Sequence, residues 1–347
     1  MIRVGLYDDA LFREHDAGPG HPERPERLDA VRRGLREAAL EGELRLVAPR
    51  PATTPELLRV HTEEHVARVA STRGRTVRFD PDTQASPRSY EAALLAAGAV
   101  VDAVDRVLAG DLDRAFCAVR PPGHHATPDR AMGFCLFNNV AVAATQALAR
   151  GLERVAVIDF DVHHGNGTQD VFYADRRVLY VSSHAYPFYP GTGALAEVGE
   201  GPGRGFTVNL PLPPGMGDEE YARVYREFVL PIGRAFDPQL VIVSAGFDPY
   251  EGCPIAPMRV TPRGFAEVAQ ACLDVAGGAA RGRAVFALEG GYDLDGIARS
   301  SAAVMSVLLG RGKDRLDGRA PGLDALASAY REVLAPFWPV LRDGKRS

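Results

Sequence analysis

The stretch VAVIDFDVHHGNG, residues 155–167, joins four consecutive apolar residues to a cluster of aspartates, histidines and glycines. Unbroken apolarity suits a strand covered on both faces, as in a parallel sheet flanked by helices. The same passage from apolar run to reactive side chains recurs along the chain. FCAV at 116–119 runs into RPPGHH, LVIV at 240–243 leads through SAG to Phe247 and Asp248, and AVFAL at 284–288 leads to Glu289, Gly290, Gly291 and Tyr292. A fifth apolar run covers Val178 to Val181. Between these runs lie segments of helical period at 139–150, 218–236, 262–277 and 296–309, and another that opens at Ser86-Pro87 and closes at Gly110. The alternation predicts a doubly wound α/β fold whose strand C-terminal ends carry a ligand site.

The 347 residues include 46% hydrophobic and 24% charged side chains, enough apolar material for an enzyme-sized core. Net charge is −5, and the arginines alternate with acidic residues, so no phosphate-binding stripe and no nucleic-acid partner are expected. The run 24–36 in particular reads as a solvated helix face of mixed sign. No apolar stretch approaches the ~18 residues of a membrane span. The N-terminus lacks the apolar segment of a signal peptide. Cys117, Cys135, Cys253 and Cys272 form no CxxC pair, which together with these features predicts a reduced, cytoplasmic setting. No linker or repeat divides the chain, so residues 1–347 are read as one domain, with a helical tail over 313–347 docked on its body.

Asp159, Asp161 and His163 alternate, and alternate residues of extended backbone face the same way. With Asp248 arriving from another strand, they form a candidate site for zinc or iron(II), which leaves a catalytic position open when three protein ligands bind. His124 and His125, held behind Pro121, Pro122 and Gly123, are candidates for proton transfer, because imidazole titrates near neutrality. Tyr292, behind a pair of glycines, can donate its hydroxyl to a developing oxyanion.

RPPGHHA, GFCLFNN, DFDVHHGNGTQ, YVSSH, PFYPGTG, SAGFDPYEG and EGGYDLDGIA occur in this order from residue 120 onward. Together with HPERPER at His21 they resemble the histone deacetylase family and its bacterial relatives, the acetylpolyamine amidohydrolases, over residues 21–309. The resemblance implies the arginase/deacetylase fold, with an eight-stranded parallel sheet flanked by helices. It implies one catalytic Zn²⁺ on Asp161, His163 and Asp248, with His125 as general base and then acid, and His124 as its electrostatic companion. Asp159 would orient His124 and Asn166 would orient His125. A structural K⁺ would draw on Asp159, Asp161, His163 and Ser182. Gly133, Phe134 and Tyr189 would wall a substrate tunnel, with Met258 and Asp82 at its rim, and Arg27 would belong to an internal acetate channel.

The reaction so implied is hydrolysis of the amide of acetyl-lysine in peptides or of small acetylated amines. An acetylpolyamine substrate is the alternative; Ile255 and Met258, apolar where such an enzyme would place an acidic gatekeeper, tilt against it. A binuclear manganese ureohydrolase of the same fold would need a second aspartate, but Pro249 and Tyr250 follow Asp248. A non-catalytic binder would not need the His pair and the tyrosine together. A homo-oligomer is compatible with the sequence.

Overall fold

The computed structural model describes residues 2–312 and 315–342; of the tail, Lys313, Asp314 and residues 343–347 lie outside them. Ten strands run β1 (Val4–Tyr7), β2 (Arg45–Val47), β3 (Val77–Arg78), β4 (Gln84–Ala85), β5 (Arg114–Cys117), β6 (Val155–Asp159), β7 (Val178–Ala185), β8 (Thr207–Leu212), β9 (Leu240–Ala245) and β10 (Ala284–Leu288). Eight form one sheet in the order β2-β1-β5-β10-β9-β6-β7-β8, and every pairing in it is parallel. β3 and β4 form a separate antiparallel ribbon. The all-parallel sheet is that of the doubly wound α/β fold read from the sequence, and its eight strands match what the family resemblance implies.

The central strands β5, β6, β9 and β10 are buried along almost their whole length, as expected for strands with helices over both faces. Three strands of the sheet escape the apolar-run reading. β1 has only four residues, β2 is a largely exposed edge, and β8 contains Asn209 and Pro211. Proline removes a ladder donor and is tolerated there because β8 is the other edge. The tail covers that edge: from within the helix Asp324–Leu334 the Tyr330 hydroxyl donates to the Pro211 carbonyl at 2.7 Å, and beyond it Trp338 Nε1 donates to the Gly205 carbonyl at 2.9 Å.

The helical segment at 218–236 is continuous but contains one wider π turn over Tyr225–Val229. The helix Glu26–Glu37 corrects the reading of residues 24–36 as a solvated face. Arg27, Leu28, Val31 and Leu35 are buried on one side, because the charges there are spaced to leave an apolar stripe. All four cysteines are buried and unpaired. Among the described residues no helix is long and apolar enough to cross a membrane.

His61 shows how the core holds the site-bearing loops. Its Nε2 accepts from the Asn138 N–H at 2.9 Å, which commits Nδ1–H to the Thr127 carbonyl at 3.0 Å; Asn138 in turn caps the helix Asn139–Ala149. Burial, reinforced by His65, pushes the ring down to about 3 from an ordinary 6.5. The unfolded chain therefore takes up a proton that the native ring refuses. Stability is full above pH 6.5 and falls, as pH drops from there toward about 3, by roughly 1.4 kcal/mol per pH unit from this group. His61→Gln, which keeps both bonding partners, is expected to flatten that slope in urea midpoints taken between pH 7 and 4.5. An unchanged slope would mean that other groups govern the acid limb.

Candidate active site

The C-terminal ends of the central strands gather the reactive side chains. Asp161 and His163 follow β6, and Asp248 follows its neighbour β9; one ligand atom from each lies within 4.8 Å of the others, all buried. His163 Nδ1 stands 3.1 Å from Asp161 Oδ1 and 3.0 Å from Asp248 Oδ2. Backbone aims the carboxylates: Gly290 N–H donates to Asp161 Oδ2 at 2.8 Å, and Val162 N–H to Asp248 Oδ1 at 2.9 Å. A side chain at Gly290 would collide with both carboxylates, so only glycine fits there. Two carboxylates buried this closely are costly to keep ionised without a compensating positive charge. This donor set, two carboxylate oxygens and one imidazole, fits a divalent metal with a preference for mixed N/O ligands, such as zinc.

Asp159 departs from the period-two reading, which turned it to the same point as Asp161 and His163. β6 ends at Asp159 and the chain bends behind it. Its Oδ1 accepts from the Asp161 N–H at 3.1 Å, while Oδ2 meets His124 Nδ1 at 3.0 Å and the Tyr180 hydroxyl at 3.3 Å. Ser182, beside Asp159 in the sheet, bonds through its hydroxyl to His184 Nδ1 at 2.9 Å.

The His124 and His125 rings lie 4.0 Å apart, and their surroundings drive them in opposite directions. Burial opposes charge on His124, but Asp159, Asp161 and Glu289 outweigh it and raise the ring to about 10. Burial, joined by the charges of His124 and His163, holds His125 well below its ordinary value. His125 Nδ1 is 2.8 Å from Asn166 Oδ1. The Asn166 amide nitrogen is turned to the His125 carbonyl at 3.4 Å, which assigns Oδ1 as acceptor from Nδ1–H and leaves Nε2 free.

Aromatic rings line the approach. Tyr189 meets His125 edge-on at 5.1 Å and is 38% exposed, while Phe134 meets Tyr292 edge-on at 5.9 Å. Gly133 has a φ of +56°, and any side chain on it would strike the His125 ring. Phe188, which the sequence reading passed over for Tyr189, stacks on His163 at 5.4 Å. The PFYP signal held both rings, and spacing could not rank them. Asp82 is exposed at the mouth; the next residue, Thr83, accepts from the Phe134 N–H at 3.1 Å, and His21 packs on the Phe134 ring at 4.5 Å. Met258 is buried, in a loop tied to the segment after β8 by Gly215 N–H to Pro257 carbonyl at 2.7 Å and Arg259 N–H to Met216 carbonyl at 2.8 Å.

Beneath the site, Arg27 is fully buried. It donates to Glu23 Oε1 at 2.8 Å, to the Gly291 carbonyl at 2.7 Å and to the Glu289 carbonyl, with its guanidinium 5.1 Å from the Tyr292 ring centre. Glu23 also pairs with the buried Arg120, a connection that sequence separation hides.

Fold and site together define an α/β protein of arginase/deacetylase architecture, with a buried Asp/His/Asp cluster beside two unequal histidines. The family model for the histone deacetylase domain matches residues 21–308, and the chain belongs to that family. It is 43% identical over 297 residues to a probable deacetylase of Archaeoglobus fulgidus, covering 84% of this chain and 82% of the relative. Histone deacetylase 15 of Arabidopsis thaliana is 42% identical across 92% of this chain, which spans 59% of that longer protein. The crystal structure of the HDA15 HD domain superposes with a TM-score of 0.91 at 41% identity, covering 98% of this chain and 96% of that one.

Proposed function

We propose that this protein is a zinc-dependent deacetylase that hydrolyses the amide of acetyl-lysine in peptides, or of small acetylated amines, with acetylpolyamines as the alternative substrate. The observation that carries this reading is the placement of a neutral His125, bonded to Asn166, against the Asp161/His163/Asp248 cluster. Those three residues would hold one Zn²⁺. Bound there, zinc would supply Lewis acidity toward a carbonyl oxygen and a water.

The chain's own groups do the remainder. His125 Nε2 accepts the proton of the attacking water and later delivers it to the departing amine, while Asn166 keeps the ring's tautomer fixed. His124, held charged by Asp159, supplies positive potential next to His125. Tyr292, whose phenol burial keeps protonated, donates to the carbonyl oxygen as negative charge develops. Gly133, Phe134 and Tyr189 form a slot suited to the methylene stem of the acylated amine. Asp82 at the mouth and the buried Met258 complete its rim in this reading. Arg27, whose guanidinium lies next to the Tyr292 ring, is assigned to acetate release, and a structural K⁺ to Asp159, Asp161, His163 and Ser182. Four buried, unpaired cysteines suit a reducing cytoplasm.

The test is turnover of an acetyl-lysine peptide, N-acetylputrescine and N-acetylspermidine before and after chelation. Chelation is expected to abolish activity and stoichiometric zinc to restore it. Preference for an acetylated polyamine would select the alternative substrate, and activity unaffected by chelation would remove zinc from the mechanism.

A further inference from the structure

Glu289 directly follows β10 with its side chain fully buried, and no Lys, Arg or His pairs with it among the described residues. A carboxylate so placed is expensive to bury, and burial raises it to about 7. Its bonds explain its retention. Oε2 accepts from the backbone N–H of Gly123 at 2.6 Å and from that of His124 at 3.1 Å, and Oε1 from the Ser244 hydroxyl at 3.3 Å. Those two N–H groups have no other acceptor among the described residues.

The consequence lies in what the bonds join. Gly123 and His124 belong to the loop after β5 that presents His125, whereas Glu289 lies three residues before Tyr292. The same residue's carbonyl receives Arg27, and the next residue's N–H aims Asp161. One carboxylate therefore fixes the imidazole loop relative to the phenol loop, and its two acceptor bonds leave the 123–124 backbone a single seat.

We propose that Glu289 is a positioning residue for the His124/His125 loop, acting through the two backbone hydrogen bonds it accepts. The proposal rests on the deacetylase reading for its kinetic arm only. Reacting groups displaced by about 1 Å can cost on the order of 10²-fold in rate, so the arrangement has kinetic weight.

The experiment compares E289L and E289Q with wild type in metal-loaded protein, by kcat and KM on an acetyl-lysine peptide and by amide hydrogen exchange over residues 121–127. E289L removes both acceptors. It is expected to lower kcat by about 10- to 100-fold with KM within about twofold, and to speed exchange at Gly123 and His124. E289Q keeps an acceptor oxygen and is expected to retain slow exchange, kcat within about threefold and the wild-type pH profile. Wild-type kcat in E289L, or wild-type exchange there, overturns the proposal. So does an E289Q protein that keeps its exchange protection but loses turnover, which would make the charge and not the bonds decisive; this arm stands even where E289L does not fold. Exchange is read without substrate, so absence of turnover in wild type would defeat the deacetylase reading while the exchange arm still decides whether Glu289 seats the loop.

Discussion

His125→Ala is expected to lower kcat by about 10²- to 10⁴-fold, the range of a single general acid/base. Three features of the site converge on this ring. It is held neutral at physiological pH by burial and by the charges of His124 and His163, so the basic form is already populated. Asn166 occupies Nδ1, so the free lone pair belongs to Nε2. Tyr189 and Gly133 pack against the ring and fix its direction. The candidate metal cluster Asp161/His163/Asp248 does not include His125, so under the proposed function the variant should bind zinc as wild type does. Metal analysis alongside kcat on an acetyl-lysine peptide separates the two effects. A variant with full zinc and wild-type turnover would remove His125 from the chemistry.

Tyr292→Phe is expected to cost about 10²- to 10³-fold, comparable to loss of one oxyanion donor. Burial, together with the charges of Asp248 and Asp161, pushes the phenol well above its ordinary range, so it stays protonated and available as a donor. The ring is already seated between Phe134 and the Arg27 guanidinium, and phenylalanine preserves those contacts. The substitution thus deletes one oxygen and little else. The loss should fall on kcat, with KM nearly unchanged, since in the proposed mechanism the hydroxyl acts where charge develops and not where the stem binds. A rise in KM at constant kcat would make Tyr292 a substrate-binding group instead.

Much of the architecture was legible because the central strands are covered on both faces and must be apolar throughout. The run Ala284 to Leu288 coincides with β10 residue for residue. β1, β2 and β8 were not: β1 is buried but only four residues long and interrupted by Gly5, β2 is an exposed three-residue edge, and β8 breaks its apolar run with Asn209 and Pro211. The candidate site was legible as a set of strand ends, but not as a set of directions. Asp159, by period two a partner of Asp161 and His163, turns to His124 because the strand stops beneath it. Arg27, in a segment that reads as solvated, is enclosed because its helix packs that face toward the end of β10.

By itself, the sequence determined which residue types stand at the ends of buried strands, since the period of apolarity and the position of glycine and proline are local properties of the chain. Only the tertiary structure decided which lone pair of His125 is free, which oxygen of Asp159 meets His124, and that Glu289 seats the loop from 166 residues away. A hydrogen bond depends on distance and angle between groups that the chain brings together only when the sheet closes, and no one-dimensional pattern records that geometry.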